Sequence, residues 1–219
     1  MTANLFSQGS YAVKTRQAWE KAVTLDPAHL DARMSLLQFY LIAPGILGGG
    51  VEKAEEQAAE IVKRDAVRGH LARATLASHK KDDPAAEREL KAAVAMAPGD
   101  VRTRIALGFF YQRREQWNEA FETLEAGLKA NPKAADLLFF IGRTAALSGQ
   151  RLNRAEECLK SYLAKPSGPE SPSHAAAHLR LGMVYEKKGD KPKAKVQYQQ
   201  ALKLDPSNKE AKAALAKLG

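Results

Sequence analysis

Residues 181–206 read LGMVYEKKGDKPKAKVQYQQALKLDP, and their spacing decides the fold. Ala194, Tyr198 and Ala201 stand at offsets of 0, 4 and 7, which puts them on one stripe of an α-helix. The two alanines let a neighbouring helix approach closely, and the tyrosine fills the space between. Pro206 lacks the amide that a further turn would need, so the helix ends before it. Upstream, Leu181-Gly182 and Tyr185 mark a first helix that carries its own small residue for the second to pack against. The unit predicted is a helical hairpin.

The same small–bulky–small–proline pattern recurs at Thr15-Trp19-Ala22-Pro27, Ala86-Leu90-Ala93-Pro98 and Ala120-Leu124-Gly127-Pro132. Pro98 and Pro132 are 34 residues apart. Leu107-Gly108 and Tyr111 repeat the first-helix signature before Ala120, with looser copies at Leu36-Leu37-Tyr40 and Ile141-Gly142-Ala145. A fixed period of this length with an L-G-x-x-Y core resembles the tetratricopeptide repeat. The resemblance runs from about Lys14 to Pro206. It implies an all-α fold, a right-handed α-α superhelix of about five and a half hairpins in a single solenoid domain over residues 1–219. Residues 208–218, with Ser207 or Asn208 as N-cap and Ala211, Ala214, Leu215 and Leu218 on one face, read as a capping helix.

The remaining proline gaps depart from a plain array. Pro27 to Pro98 is 71 residues and Pro132 to Pro206 is 74, against 68 for two periods. Residues 43–50, APGILGGG, widen one hairpin turn, while the repeat over 67–98 is about two residues short at its start and its register stays open. Residues 165–173, rich in Pro, Ser and Gly, predict a longer loop between the fifth and sixth hairpins. The repeat closed by Pro27 has only its second half in the chain, so it reads as truncated. The Gly-rich insertion followed by Arg68, Gly69, His70 and Leu71 is similar to a group of bacterial tetratricopeptide proteins that often carry an export signal. That resemblance implies the periplasm, with the cytoplasm as the alternative; the residues themselves set no compartment.

Composition agrees with helix. The chain is 45% apolar and 27% charged, with one cysteine, Cys158, and hence no intramolecular disulfide. No run is long and apolar enough for a membrane span. The formal charge of +9 is concentrated at the end: residues 186–219 hold nine lysines against four acids. Only Tyr185 and Tyr198 lie among them, both assigned to the core, so a stacking platform for nucleic acid is not expected and a solvated end is.

No residue set amounts to an active site, and neither a metal nor another cofactor is called for. Gly48, Gly49 and Gly50 precede a helix but lack the lysine and hydroxyl residue of a phosphate loop, so they predict a turn needing positive φ. His174 and His178 are four apart with Glu170 four earlier, a spacing that can share a metal, yet surface histidines are the simpler reading. Cys158 reads as a small core residue, and Asp82-Asp83-Pro84 as a turn and N-cap.

The expected function is a non-catalytic scaffold that binds a protein or peptide. In tetratricopeptide proteins, motif positions 2, 5, 9 and 12 of the first helices face a concave groove. The resemblance places Met34, Ile105, Phe139 and Leu179 at position 5 and Gln38, Phe109, Arg143 and Met183 at position 9. Position 2 gives Asp31, Arg102, Asp136 and Ala176, and Leu71 and His79 belong to the repeat of open register. Lysine and asparagine at positions 5 and 9, used by chaperone-binding members to clamp a carboxylate, are missing. An apolar groove flanked by Arg102, Arg113 and Arg143 suits an amphipathic helix with acidic residues. Self-association into a homo-oligomer and service as an accessory domain of a larger protein are the alternatives.

Overall fold

A computed structural model of the chain describes residues 2–169 and 171–219, with side chains from residue 9 onward. The described residues form twelve α-helices and one 3-10 turn, in two compact units, Met1–Ala97 and Pro98–Gly219. The first unit contains α1 (Thr2–Leu25), α2 (Leu30–Ile42), α3 (Val51–Arg64), α4 (Ala66–His79) and α5 (Asp83–Met96). The second contains α6 (Val101–Arg113), α7 (Trp117–Ala130), α8 (Ala135–Ser148), α9 (Leu152–Leu163), α10 (His174–Lys187), α11 (Lys191–Leu204) and α12 (Lys209–Leu218). Five hairpins are complete, α2/α3 through α10/α11, flanked by α1 and α12.

The hairpins close where the small residues predict. A Cβ built on Gly182 would lie 2.5 Å from Tyr198, one on Gly142 2.4 Å from Leu159, and one on Gly108 2.9 Å from Leu124. Each first-helix glycine therefore receives the bulky side chain of its partner helix, which is fully buried. The turn inside each of three successive hairpins has a left-handed residue: Lys81 (φ 59°), Glu115 (φ 57°) and Gly149 (φ 80°), each 34 positions from the next.

Helix starts are capped by short polar side chains. Asp82 accepts from the Ala85 amide, Asp190 from Lys193, Ser173 from Ala176 and Asn208 from Ala211. Asn208 thus settles the start of the terminal helix, whose Ala211 is buried and whose Ala214, Leu215 and Leu218 pack on the core. The shortfall before residue 67 lies between α3 and α4. Asp65 alone joins them, as C-cap of one and N-cap of the other, accepting from the Arg68 amide at 2.9 Å.

The Gly-rich insertion is a tied turn. Gly48 takes φ 91° and the Gly50 amide donates to Tyr40 O at 2.9 Å. Arg16 Nη1 donates to Leu47 O at 3.0 Å, and a Cβ on Gly48 would strike that guanidinium at 1.6 Å. The 165–173 loop is tied as well: Tyr162 Oη donates to Pro172 O, and the His174 ring meets Lys165 O at 2.9 Å. Glu170 lies outside the described residues.

Candidate functional site

One face of the second unit is built from its first helices, α6, α8 and α10, closed by α12. Phe109 of α6 meets Phe140 of α8 edge to face, with ring centroids 4.9 Å apart. Arg143, about one turn further along α8, lies 4.6 Å over the Phe109 ring. Its Nη1 donates to Gln112 Oε1, and Gln112 Nε2 in turn donates to Thr144 Oγ1 at 2.7 Å. Gln112 and Thr144 are buried, so this short network fixes the guanidinium from below. On α10, Met183 lies against Arg180, whose guanidinium is paired with Glu210 of α12 at 2.6 Å. Ile105 and Met183 are half-buried beside this surface.

The two arginines differ. Arg180 has a carboxylate; Arg143 has no ion pair among the described residues. Burial first, then the positive field of Arg180, lower the pKa of Arg143, while the more distant Glu210 opposes the shift. A guanidinium remains charged under such a shift, so a partly desolvated cation is held in place with no ion pair of its own among the described residues.

The remaining groove residues fall in different surroundings. Phe139 and Leu179 are only 5% and 3% exposed and belong to the hydrophobic core, a correction to their placement in an open groove. Phe139 is covered because Tyr162 packs on it, 5.5 Å between rings, and Tyr162 is itself held by the tied 165–173 loop and His174. Leu179 is enclosed in the same cluster. In both helices the half-exposed side chain is the next one along, Phe140 and Arg180, which the motif positions pass over.

Arg102 is exposed and bound to Asp100, its helix N-cap, at 3.1 Å; Arg113 is exposed at the end of α6. Met34, half-buried, and Gln38, exposed, belong to the first unit.

No other reactive cluster gathers among the described residues. His174 and His178 are half-buried rather than on the surface, and they bond to different partners, Lys165 O and Gln197 Oε1. Among the described residues no group of three or more His, Cys, Asp or Glu side chains could hold a metal ion. Cys158 is buried, and burial pushes its thiol up to about 11, away from reactivity. No described helix is long and apolar enough to cross a membrane. All nine lysines of residues 186–219 are exposed.

Comparison with known proteins agrees with this architecture. Residues 175–208 match the tetratricopeptide repeat. No curated protein matches the chain. A thermophilic tetratricopeptide protein of Thermus thermophilus is similar in structure, with TM-score 0.61 and 21% identity over 89% of this chain and 97% of that one. YrrB, described as a tetratricopeptide protein with an unusual peptide-binding site, gives TM-score 0.57 and 17% identity over 91% and 98%. MamA gives TM-score 0.56 and 22% identity over 66% of this chain and 81% of its own. Identities this low speak for the fold alone. Residues 175–208 match the tetratricopeptide repeat, and the fold of the chain is similar to that of tetratricopeptide-type arrays of helical hairpins.

Proposed function

We propose that the α6–α8–α10 face of the second unit holds an amphipathic protein segment whose acidic side chain lies on Arg143. The fold is that of protein-interaction scaffolds, and a peptide-binding site is described for one structural neighbour, YrrB. The observation that carries the reading is Arg143 itself: stacked on Phe109, oriented by Gln112, and without a carboxylate among the described residues. Keeping a guanidinium partly desolvated costs stability unless an anion offsets it, and a partner's Asp or Glu supplies one. Phe109, Phe140, Ile105 and Met183 then offer an apolar strip for side chains spaced three and four apart on the bound helix.

Selection of a phage-displayed peptide library against the immobilised chain tests this. The expected outcome is enrichment of sequences with apolar residues at helical spacing and an adjacent Asp or Glu, and loss of their binding to Arg143→Gln. Enriched peptides without acidic residues, or bound equally by the variant, would sink the reading.

A further inference from the structure

The first unit has an apolar cleft that the preceding function leaves unused. It has a volume of about 470 Å³ and lies between α1, α2 and the Gly-rich turn. Ala12, Trp19, Ser35, Phe39, Ile42 and Leu47 are among its lining residues, and no charged side chain is. Trp19 and Phe39 form its aromatic wall, edge to face at 6.4 Å between centroids. The cleft has the size and the apolar lining of a site that takes up an uncharged group.

Its rim is unusual for surface exposed to water. Ile42 at the end of α2 is 83% exposed, and Ile46, on the turn that also supplies Pro44 and Leu47 to the cleft, is 93% exposed. Ile46 is not on a loose loop. The turn is held by Arg16 on Leu47 O at 3.0 Å, by Lys53 on Gly48 O at 3.2 Å and by the Gly50 amide on Tyr40 O. A tied turn that presents a bare isoleucine beside an apolar cleft is a projection and a recess on one surface. A twofold axis sets the projection of one copy against the recess of the other, the same patch serving on both.

Charge favours the same pairing. The first unit, residues 1–97, holds 13 Lys and Arg against 12 Asp and Glu, whereas residues 98–219 hold 21 against 13. Nearly all of the +9 therefore belongs to the second unit. Two copies meeting through their near-neutral first units avoid the like-charge repulsion that contact between second units would incur.

We infer that the chain self-associates into a twofold dimer through this surface, Ile46 of each copy seated in the cleft of the other. The inference is independent of the peptide-binding reading, because it uses other residues in the other unit.

Sedimentation velocity on the full chain over a concentration series reads it directly. The wild type is expected to show a monomer–dimer equilibrium that persists at high salt, as apolar contact does. Ile46→Asp places a charge in the recess and is expected to weaken the dimer by at least about tenfold. Since Ile46 touches water in the single chain, the variant's circular dichroism and thermal midpoint should match the wild type at concentrations where both are monomeric. Ser35→Leu, which fills the recess from within, is the second variant and should weaken the dimer likewise. Arg143→Gln should dimerise as the wild type does. A wild type that stays monomeric throughout, a dimer indifferent to both first-unit variants, or one dissolved by Arg143→Gln would each overturn the inference.

Discussion

The guanidinium of Arg143 lies 4.6 Å over the ring of Phe109, joining the second helical hairpin of its unit to the first by a cation–aromatic contact. Gln112 holds the same guanidinium from α6, so Arg143 is aimed before any partner arrives. Preorganisation of this kind lowers the entropy lost on binding. Under the proposed function, the group that benefits is an anion on the partner.

Adjacent phenylalanines on α8 should behave differently. Phe139→Ala empties a buried, ring-lined site and is expected to cost about 3–5 kcal/mol of stability. Phe140→Ala, at a half-exposed position, should cost much less stability yet weaken capture of the selected peptides. Urea denaturation beside peptide titration separates the two. Equal destabilisation by both variants would count against the assignment of Phe140 to the surface.

Gly182→Ala should destabilise the last hairpin by about 1–3 kcal/mol, because the added methyl meets the buried Tyr198 ring at 2.5 Å. Gly99→Ala is the control, since nothing lies within 4 Å of its Cβ. Arrays of hairpins lose structure piecewise, so hydrogen exchange should place the Gly182 effect in α10–α12.

Glu115 holds the left-handed turn position that Gly149 occupies 34 residues later. Glu115→Gly removes the steric cost of φ 57° and is expected to raise stability by about 0.5–1 kcal/mol. A lower denaturation midpoint for this variant would contradict that.

Hydrogen bonds from Lys160 and Lys188, with a further one from Tyr185, hold the Glu156 carboxyl down to about 2 against burial, joining α9 to α10. A depressed carboxyl stabilises the fold above the ordinary value of 4.5 and loses that contribution as pH falls towards about 2. Glu156→Gln should therefore be less stable than the wild type at neutral pH, with the gap closing across that window. A gap that stays constant down to pH about 2 would remove the carboxylate from the account.

The hairpins are legible in the sequence because their packing depends on residue size. Gly108, Gly142 and Gly182 admit one bulky side chain each, and Pro98, Pro132 and Pro206 mark where three of the hairpins end. The short repeat around residues 67–98 is harder to read, since its missing length is a turn reduced to Asp65, which caps two helices at once. The surface residues are less legible still. Phe139 and Phe140 are both apolar and differ by about 100° around the helix. Which one reaches solvent is decided by Tyr162 and the loop that follows it, more than twenty residues along the chain. Arg180 and Gln112 escape notice for a related reason. Their roles depend on Glu210 and Arg143, 30 and 31 residues downstream.

Arg143 and the partner carboxylate proposed to meet it form one charge pair, and a double-mutant cycle isolates that pair. A selected acidic peptide is titrated by calorimetry against the wild type and Arg143→Glu, and the measurement is repeated with the peptide's acid changed to lysine. Arg143→Glu is expected to weaken binding of the acidic peptide by at least about tenfold, and the lysine peptide to restore binding to that variant. Additive effects, with no recovery in the doubly reversed pair, would contradict it.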